Sequence, residues 1–253
     1  MRTRTFAVAL LAAIGLAAPA RAQPPQQPGG FVDLAYPADA LAARATGVVV
    51  VRVTTDASRR VTEAEALSGP AILRPAAVAN ARQWTLGNGP GTDVIVYRFE
   101  IDHAACNDDS RSLFRRVYPN LALITACSGP GRGDPPSVPD ELPLETEGAA
   151  RDYPSLAFNA SIRGVVVLEL STDASGTITE ARALNDAPFL RDAAIAHART
   201  WRVRTAVPRR GIVVYEFLQD LRICTKEVPT VLTHITGDYL RLSACGRTID
   251  FAP

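Results

Sequence analysis

Histidine is scarce in this chain of 253 residues, and its three copies, His103, His197 and His234, recur at no shared spacing. No Ser-His-Asp order, H-E-x-x-H helix or glycine-rich phosphate loop accompanies them. The usual signatures of hydrolysis, zinc chemistry and nucleotide binding are therefore missing, and the chain is expected to be no enzyme, to need no cofactor and to hold no metal. Net charge is missing as well. Lys and Arg total 27 against 26 Asp and Glu, a formal charge of +1. A nucleic-acid binder would show a basic face and a higher pI. Lysine is reduced to Lys226 beside 26 arginines, a bias that carries no function. What the chain does have is a hydrophobic share of 47%. That is ordinary for globular protein, and the length allows one large domain or two average ones.

Long apolar runs are absent except at the start. Arg2 and Arg4 precede FAVALLAAIGLAAPA, residues 6–20, and Ala20-Arg21-Ala22 follows as a small-x-small site. This is the pattern of a secretory signal peptide, expected to span 1–22. An uncleaved anchor is the alternative, but the run falls short of the ~20 apolar residues a spanning helix needs. Cleavage after Ala22 removes Arg2, Arg4 and Arg21, so the charge becomes 1 − 3 = −2. No integral membrane segment remains in the exported chain, and the periplasm is its expected compartment. Four cysteines survive: Cys106, Cys127, Cys224 and Cys245. An even count outside the cytoplasm suggests disulfides, with three possible pairings.

The chain says one thing twice. GVVVVRVTTDASRRVTEAEAL begins at Gly47 and GVVVLELSTDASGTITEARAL at Gly164. Tyr36-Pro37 recurs as Tyr153-Pro154 and Trp84 as Trp201, all at an offset of 117; from Tyr97 and Tyr215 onward the offset is 118. Each copy thus carries its own cysteine pair, 127 − 106 = 21 and 245 − 224 = 21 residues apart. Pairing Cys106 with Cys127 and Cys224 with Cys245 is the simplest connectivity that respects the duplication. Two cysteines per copy, with no histidine at a constant spacing, make no zinc site. Pro, Gly and acids fill 128–148, a stiff linker, and QPPQQPGG at 23–30 is a shorter one. The expected units are 31–127 and 149–253.

Within a copy, Tyr-Pro starts a short helix, Pro37 to Ala45 and Pro154 to Ile162, because Pro suits a first helical turn. Gly47 and Gly164 end it. Val49, Val51 and Val53 then alternate with Arg52 and Thr54, a strand with one buried face. Asp-Ala-Ser-Gly at 173–176 fits a hairpin with Gly176 in the left-handed position. Arg59 stands there in the first copy, at a cost of ~1 kcal/mol. Return strands run Val61 to Leu67 and Ile178 to Leu184. A helix follows, with Leu73, Ala77, Ala81 and Trp84 on one stripe, and then a third strand, Asp93 to Ile101 and Gly211 to Leu218. The expected fold class is α+β: two tandem units, each a three-stranded antiparallel sheet with two helices. A Cys-bounded extension, a helix or loop and then LALITAC or DYLRLSAC as a short strand, completes each.

Tyr-Pro, the small-residue helix, G-x-V-x-V, the D-x-x-G turn, A-x-x-A-x-x-W-R and a closing V-x-Y-x-F strand together resemble the TonB C-terminal domain family. The likeness covers roughly 36–101 and 153–218 and is nearer in the second copy. It implies a module that binds protein partners such as outer-membrane receptors, by taking an extended segment as an added strand on the edge of its last strand. Carried onto this chain, the partner-binding residues are Tyr36, Val94, Val96 and Arg98, and Tyr153, Val213, Tyr215 and Glu216. A transducer also keeps an uncleaved N-terminal helix and a long Pro-rich span. Here the leader reads as cleavable, the linker is short, and Asp39 and Leu156 replace a basic residue the family often has. Binding without force transmission is the expected role. The alternative is an envelope scaffold that contacts peptidoglycan or a protein. A rival to strand addition lies in the same sequence: if DYLRLSAC pairs with the third strand, that edge is filled.

Overall fold

The computed structural model describes residues 30–87, 89–102, 112–127, 144–145, 153–219, 230–236 and 238–244. The first unit opens with helix α1, Ala38–Ala42, entered from Pro37. It is shorter than its apolar pattern suggests because Arg44 takes φ +52. Ala45 N–H then bonds back to the Ala40 carbonyl and Arg44 N–H to that of Leu41, a Schellman ending built without glycine. Ser161 ends helix α3 (Ser155–Asn159) of the second unit in the same way, at φ +55. Strands β1 (Gly47–Thr55) and β2 (Val61–Ser68) form a hairpin. Helix α2 (Arg74–Ala81) carries the chain across to β3 (Gly91–Ile101), antiparallel to β1. A second hairpin follows, β4 (Ser112–Tyr118) and β5 (Leu121–Ala126).

A two-residue strand, β6 (Leu144–Glu145), lies between the units. The second unit runs α3 (Ser155–Asn159), β7 (Gly164–Thr172), β8 (Ile178–Ala183), α4 (Arg191–Ala198), β9 (Arg202–Val203), β10 (Arg210–Gln219), β11 (Thr230–Thr236) and β12 (Tyr239–Ala244). Its sheet order, β11-β12-β10-β7-β8, mirrors β2-β1-β3-β5-β4 of the first when read in reverse.

This architecture overturns the expected fold class. Strands make up 48% of the structure and helices 16%, so it is mostly β rather than α+β. Each sheet has five strands and is mixed, not three-stranded and antiparallel. The Cys-bounded extension supplies the other two strands, and β5 and β12 run parallel to β3 and β10. The extension is therefore part of the sheet and holds a full hairpin where a helix or loop was expected. The physical reason is burial. Leu121 to Ala126 are buried at every position, which only a central strand can provide; a strand covered on both faces reads as a continuous apolar run.

Three apolar cores follow from the alternation along the strands. Val49, Val51, Val53, Ile95, Tyr97 and Phe99 face α1 and α2 and pack on Ala40, Leu73, Ala77 and Trp84. The matching face of the second sheet packs on α3 and α4 through Val166, Leu168, Leu170, Tyr215 and Trp201. The opposite faces meet each other. Val48, Val50, Val94, Val96 and Leu121 of the first sheet form one cluster with Val165, Val167, Ile212, Val214 and Tyr239 of the second. Every member has its counterpart at the repeat offset, so the two sheets pack through equivalent surfaces, with helices outside on both sides.

Of the cysteines only Cys127 lies among the described residues, and it is disulfide-bonded; Cys106, Cys224, Cys245 and both expected pairings lie outside them, as does the expected signal peptide. Among the described residues no helix is long and apolar enough to cross a membrane.

The hairpin turns divide as the sequence suggests. Asp56 and Asp173 accept hydrogen bonds from Ser58 and Ser175 hydroxyls and from Arg60 and Thr177 N–H groups. These bonds hold both carboxyls below the ordinary range. Arg59 sits at φ +67 and Gly176 at φ +80. A Cβ on Gly176 would come 1.9 Å from the Val203 carbonyl oxygen. Gly176→Ala is therefore expected to destabilise the chain by about 2 kcal/mol through strain and overlap. Arg59→Gly should stabilise it by at most about 1 kcal/mol, because glycine also loosens the unfolded chain. Urea unfolding of both variants checks this, and equal midpoints would refute it.

Candidate protein-binding surface

The structure scatters the eight expected partner-binding residues into three buried places. Tyr36 and Tyr153 close the two helix-side cores. Tyr153 donates its O–H to the Ile162 carbonyl at 2.5 Å, and Tyr36 donates to that of Ala45. Burial pushes the Tyr36 phenol up to about 12 and raises that of Tyr153 further. Val213 and Tyr215 belong to the second helix-side core. Val94, Val96, Arg98 and Glu216 come together at the seam between the two sheets.

That seam holds charge as well as apolar contact. Glu216, 3% exposed, accepts from Tyr239 O–H at 2.9 Å and from Arg241 Nε at 2.8 Å. Arg98 reaches it from the other unit at 3.7 Å. Arg98 is also paired with Glu100, and its guanidinium lies 5.5 Å from the Tyr239 ring centroid. Tyr118 of the first unit extends its O–H to the Phe217 carbonyl at 3.4 Å. Burial first, then the Glu216 charge, lifts its phenol to about 12. Arg98 and Glu216 occupy the same position of the two copies, 216 − 98 = 118. Opposite charge at that position lets a duplicated surface bind its own copy.

The edges chosen for strand addition are filled. Arg98 lies opposite Leu123, and Glu216 opposite Arg241, in parallel ladders. Val214 N–H is taken by the Asp238 carbonyl at 2.8 Å. The rival reading of DYLRLSAC is the one observed. The outermost strands are instead β2 and β4 in one sheet, β8 and β11 in the other.

Sequence reasoning missed one surface. Between α4 and β10 the chain reads ARTWRVRTAVPRR, and Arg199, Arg202, Arg204, Arg209 and Arg210 are all exposed. The matching stretch of the first copy, 82–92, has Arg82 alone. That contrast between copies was the available signal. Strand β9 runs through this stretch. On one side Val203 N–H bonds to the Gly176 carbonyl at 2.8 Å, and Arg202 bridges Thr177 through backbone and side chain. On the other side β6 is antiparallel to it, with Leu144 opposite Val203 and Glu145 opposite Arg202. The first unit has a reduced form of the same feature, Thr85 N–H bonding to the Gly30 carbonyl at 3.2 Å. In both units the segment leading in runs beside the stretch that follows the second helix.

His197, another residue set aside in sequence reading, packs edge-on against Trp201 and Tyr215. Among the described residues no group of His, Cys, Asp and Glu could hold a metal.

Two helix-backed five-stranded sheets, each with its third strand paired on both sides, meet face to face. Residues 32–101 match the family model for the Gram-negative bacterial TonB protein C-terminal. The match ends with β3, before the β4–β5 hairpin, and falls on one copy. No match was found among curated proteins or among solved structures.

Proposed function

We propose that the chain is a periplasmic protein-binding module in which both units derive from the TonB C-terminal domain. It would bind an extended segment of an envelope or outer-membrane transport partner without passing force from an inner-membrane motor. The match over residues 32–101 carries this reading; the strand order common to both sheets supports extending it to the second unit. On this reading the chain is exported by cleavage after Ala22, each unit holds one disulfide, and the protein does no catalysis.

The filled β3 and β10 edges favour a second reading, a stand-alone scaffold that contacts peptidoglycan. One pair of measurements separates them. The purified mature protein should bind the N-terminal periplasmic segments of outer-membrane receptors from the same cell saturably, and should stay in the supernatant when mixed with peptidoglycan sacculi. Sedimentation with sacculi and no receptor-segment binding would replace the first reading with the second. N-terminal sequencing of the exported chain should begin at Gln23; a start at Met1 would overturn the soluble periplasmic assignment.

A further inference from the structure

We propose that β9 and the arginines around it form a docking site for an extended acidic segment of another polypeptide, which enters antiparallel to β9 where Leu144–Glu145 now lies. Three observations converge on this. The backbone edge of β9 is already used as a strand acceptor, by β6, over two residues only. The flanking side chains are of one sign: Arg199, Arg202, Arg204, Arg209 and Arg210 are exposed, and no acid stands between 199 and 210. The segment that supplies β6 is rich in the opposite sign, with Asp134, Asp140, Glu141, Glu145 and Glu147 in its sequence. The chain itself therefore shows what the site takes: an extended backbone carrying carboxylates.

Backbone pairing sets direction and register, and the arginines choose acidic over neutral segments. Guanidinium groups suit this because they bind carboxylates through two parallel N–H donors. They also speed the encounter of an acidic segment at low salt. The site differs from the edge on β3 and β10, which is closed. It can serve the protein-binding role proposed above but does not require an outer-membrane partner. β6 belongs to the same chain as β9, so it competes in cis at a raised effective concentration.

The test uses the full mature chain and a fluorescent peptide, DELPLETEGA, the sequence of residues 140–149. Wild-type protein should bind it weakly. Replacing 140–147 in the chain by glycine and serine at equal length should tighten binding about tenfold or more by removing the cis competitor. In that background Arg202→Gln with Arg204→Gln, Arg209→Gln and Arg210→Gln should weaken it at least about tenfold, and raising salt should do the same. These arginines are exposed, so the variants should keep wild-type unfolding midpoints. A peptide with Leu144→Pro keeps every charge but loses a backbone donor, and should also bind about tenfold more weakly. No binding by the linker-replaced chain at millimolar peptide would overturn the proposal, as would affinity unchanged by the arginine substitutions. Equal binding of the proline peptide would overturn strand entry. Receptor-segment binding that fails while this peptide binds would remove the outer-membrane reading and leave the docking site standing.

Discussion

Glu216→Ala should be the most damaging single change outside the apolar cores, lowering stability by about 3–5 kcal/mol. The carboxylate is 3% exposed and is the shared acceptor for the Tyr239 hydroxyl and Arg241 Nε, with Arg98 at 3.7 Å. Removing it takes the acceptor from the Arg241 guanidinium and the Tyr239 phenol and leaves Arg98 with Glu100 as its paired carboxylate. The seam also joins the two units, so the loss should appear in the cooperativity of unfolding as well as in its midpoint. Glu216→Gln keeps an acceptor oxygen but no charge and should cost less. Replacing Arg98, Glu216 and Arg241 together by apolar residues of similar volume should recover much of the loss, because a buried ionic network is often no more stabilising than a packed apolar one. Urea unfolding followed by tryptophan fluorescence reads Trp84 and Trp201, one in each unit. A loss under about 1 kcal/mol for Glu216→Ala would show that water reaches the seam and screens it.

Asn80→Leu should cost about 3 kcal/mol, confined to the first unit. Asn80 is 3% exposed. Its Oδ1 accepts from Trp84 Nε1 at 2.8 Å and from Tyr97 O–H at 3.0 Å, and its Nδ2 donates to the Val32 carbonyl at 2.9 Å. Leucine fills similar space and leaves two buried donors and a carbonyl without partners. Burial holds the Tyr97 phenol well above its ordinary pKa, so it remains a donor at every pH the protein meets. The second unit offers the converse experiment. His197 stands at the position of Asn80 and accepts from Trp201 Nε1 at 3.3 Å, while the buried Tyr215 hydroxyl has no hydrogen-bond partner among the described residues. His197→Asn would copy the first unit's arrangement and should stabilise the second by about 1 kcal/mol. Hydrogen exchange, resolved by unit, checks both; an Asn80→Leu effect spread evenly over both units would refute the assignment.

Local structure was legible in the sequence because its causes are local. Alternation at Val49, Val51 and Val53 gave the β1 face that meets the helices. The Asp-x-Ser pattern gave both hairpin turns. The stripe Leu73, Ala77, Ala81 and Trp84 gave the buried side of α2. Helix ends were less legible, since Arg44 and Ser161 adopt a left-handed conformation that neither residue type announces. The four consecutive valines at 48–51 did carry a message about the other face. A strand with one face in water alternates, and Val48 and Val50 break that rule because the second sheet covers them.

The third strands were read as open edges for a reason that lies at longer range. A V-x-Y-x-F strand with one neighbour in sequence reads as an open edge, and the family likeness ends with that strand. Whether LALITAC and DYLRLSAC return to it depends on a parallel pairing, and parallel strands need a long crossover whose path no local pattern encodes. The same holds for Arg98 and Glu216, whose opposite charges acquire meaning only when two equivalent sheet faces meet. The sequence by itself determined the first three strands of each unit, the hairpin turns, the helix stripes and the duplication, since neighbouring residues fix each of these. Only the tertiary structure decided that the duplicated faces bind each other and that the third strands are central, because both outcomes rest on burial between segments far apart in the chain.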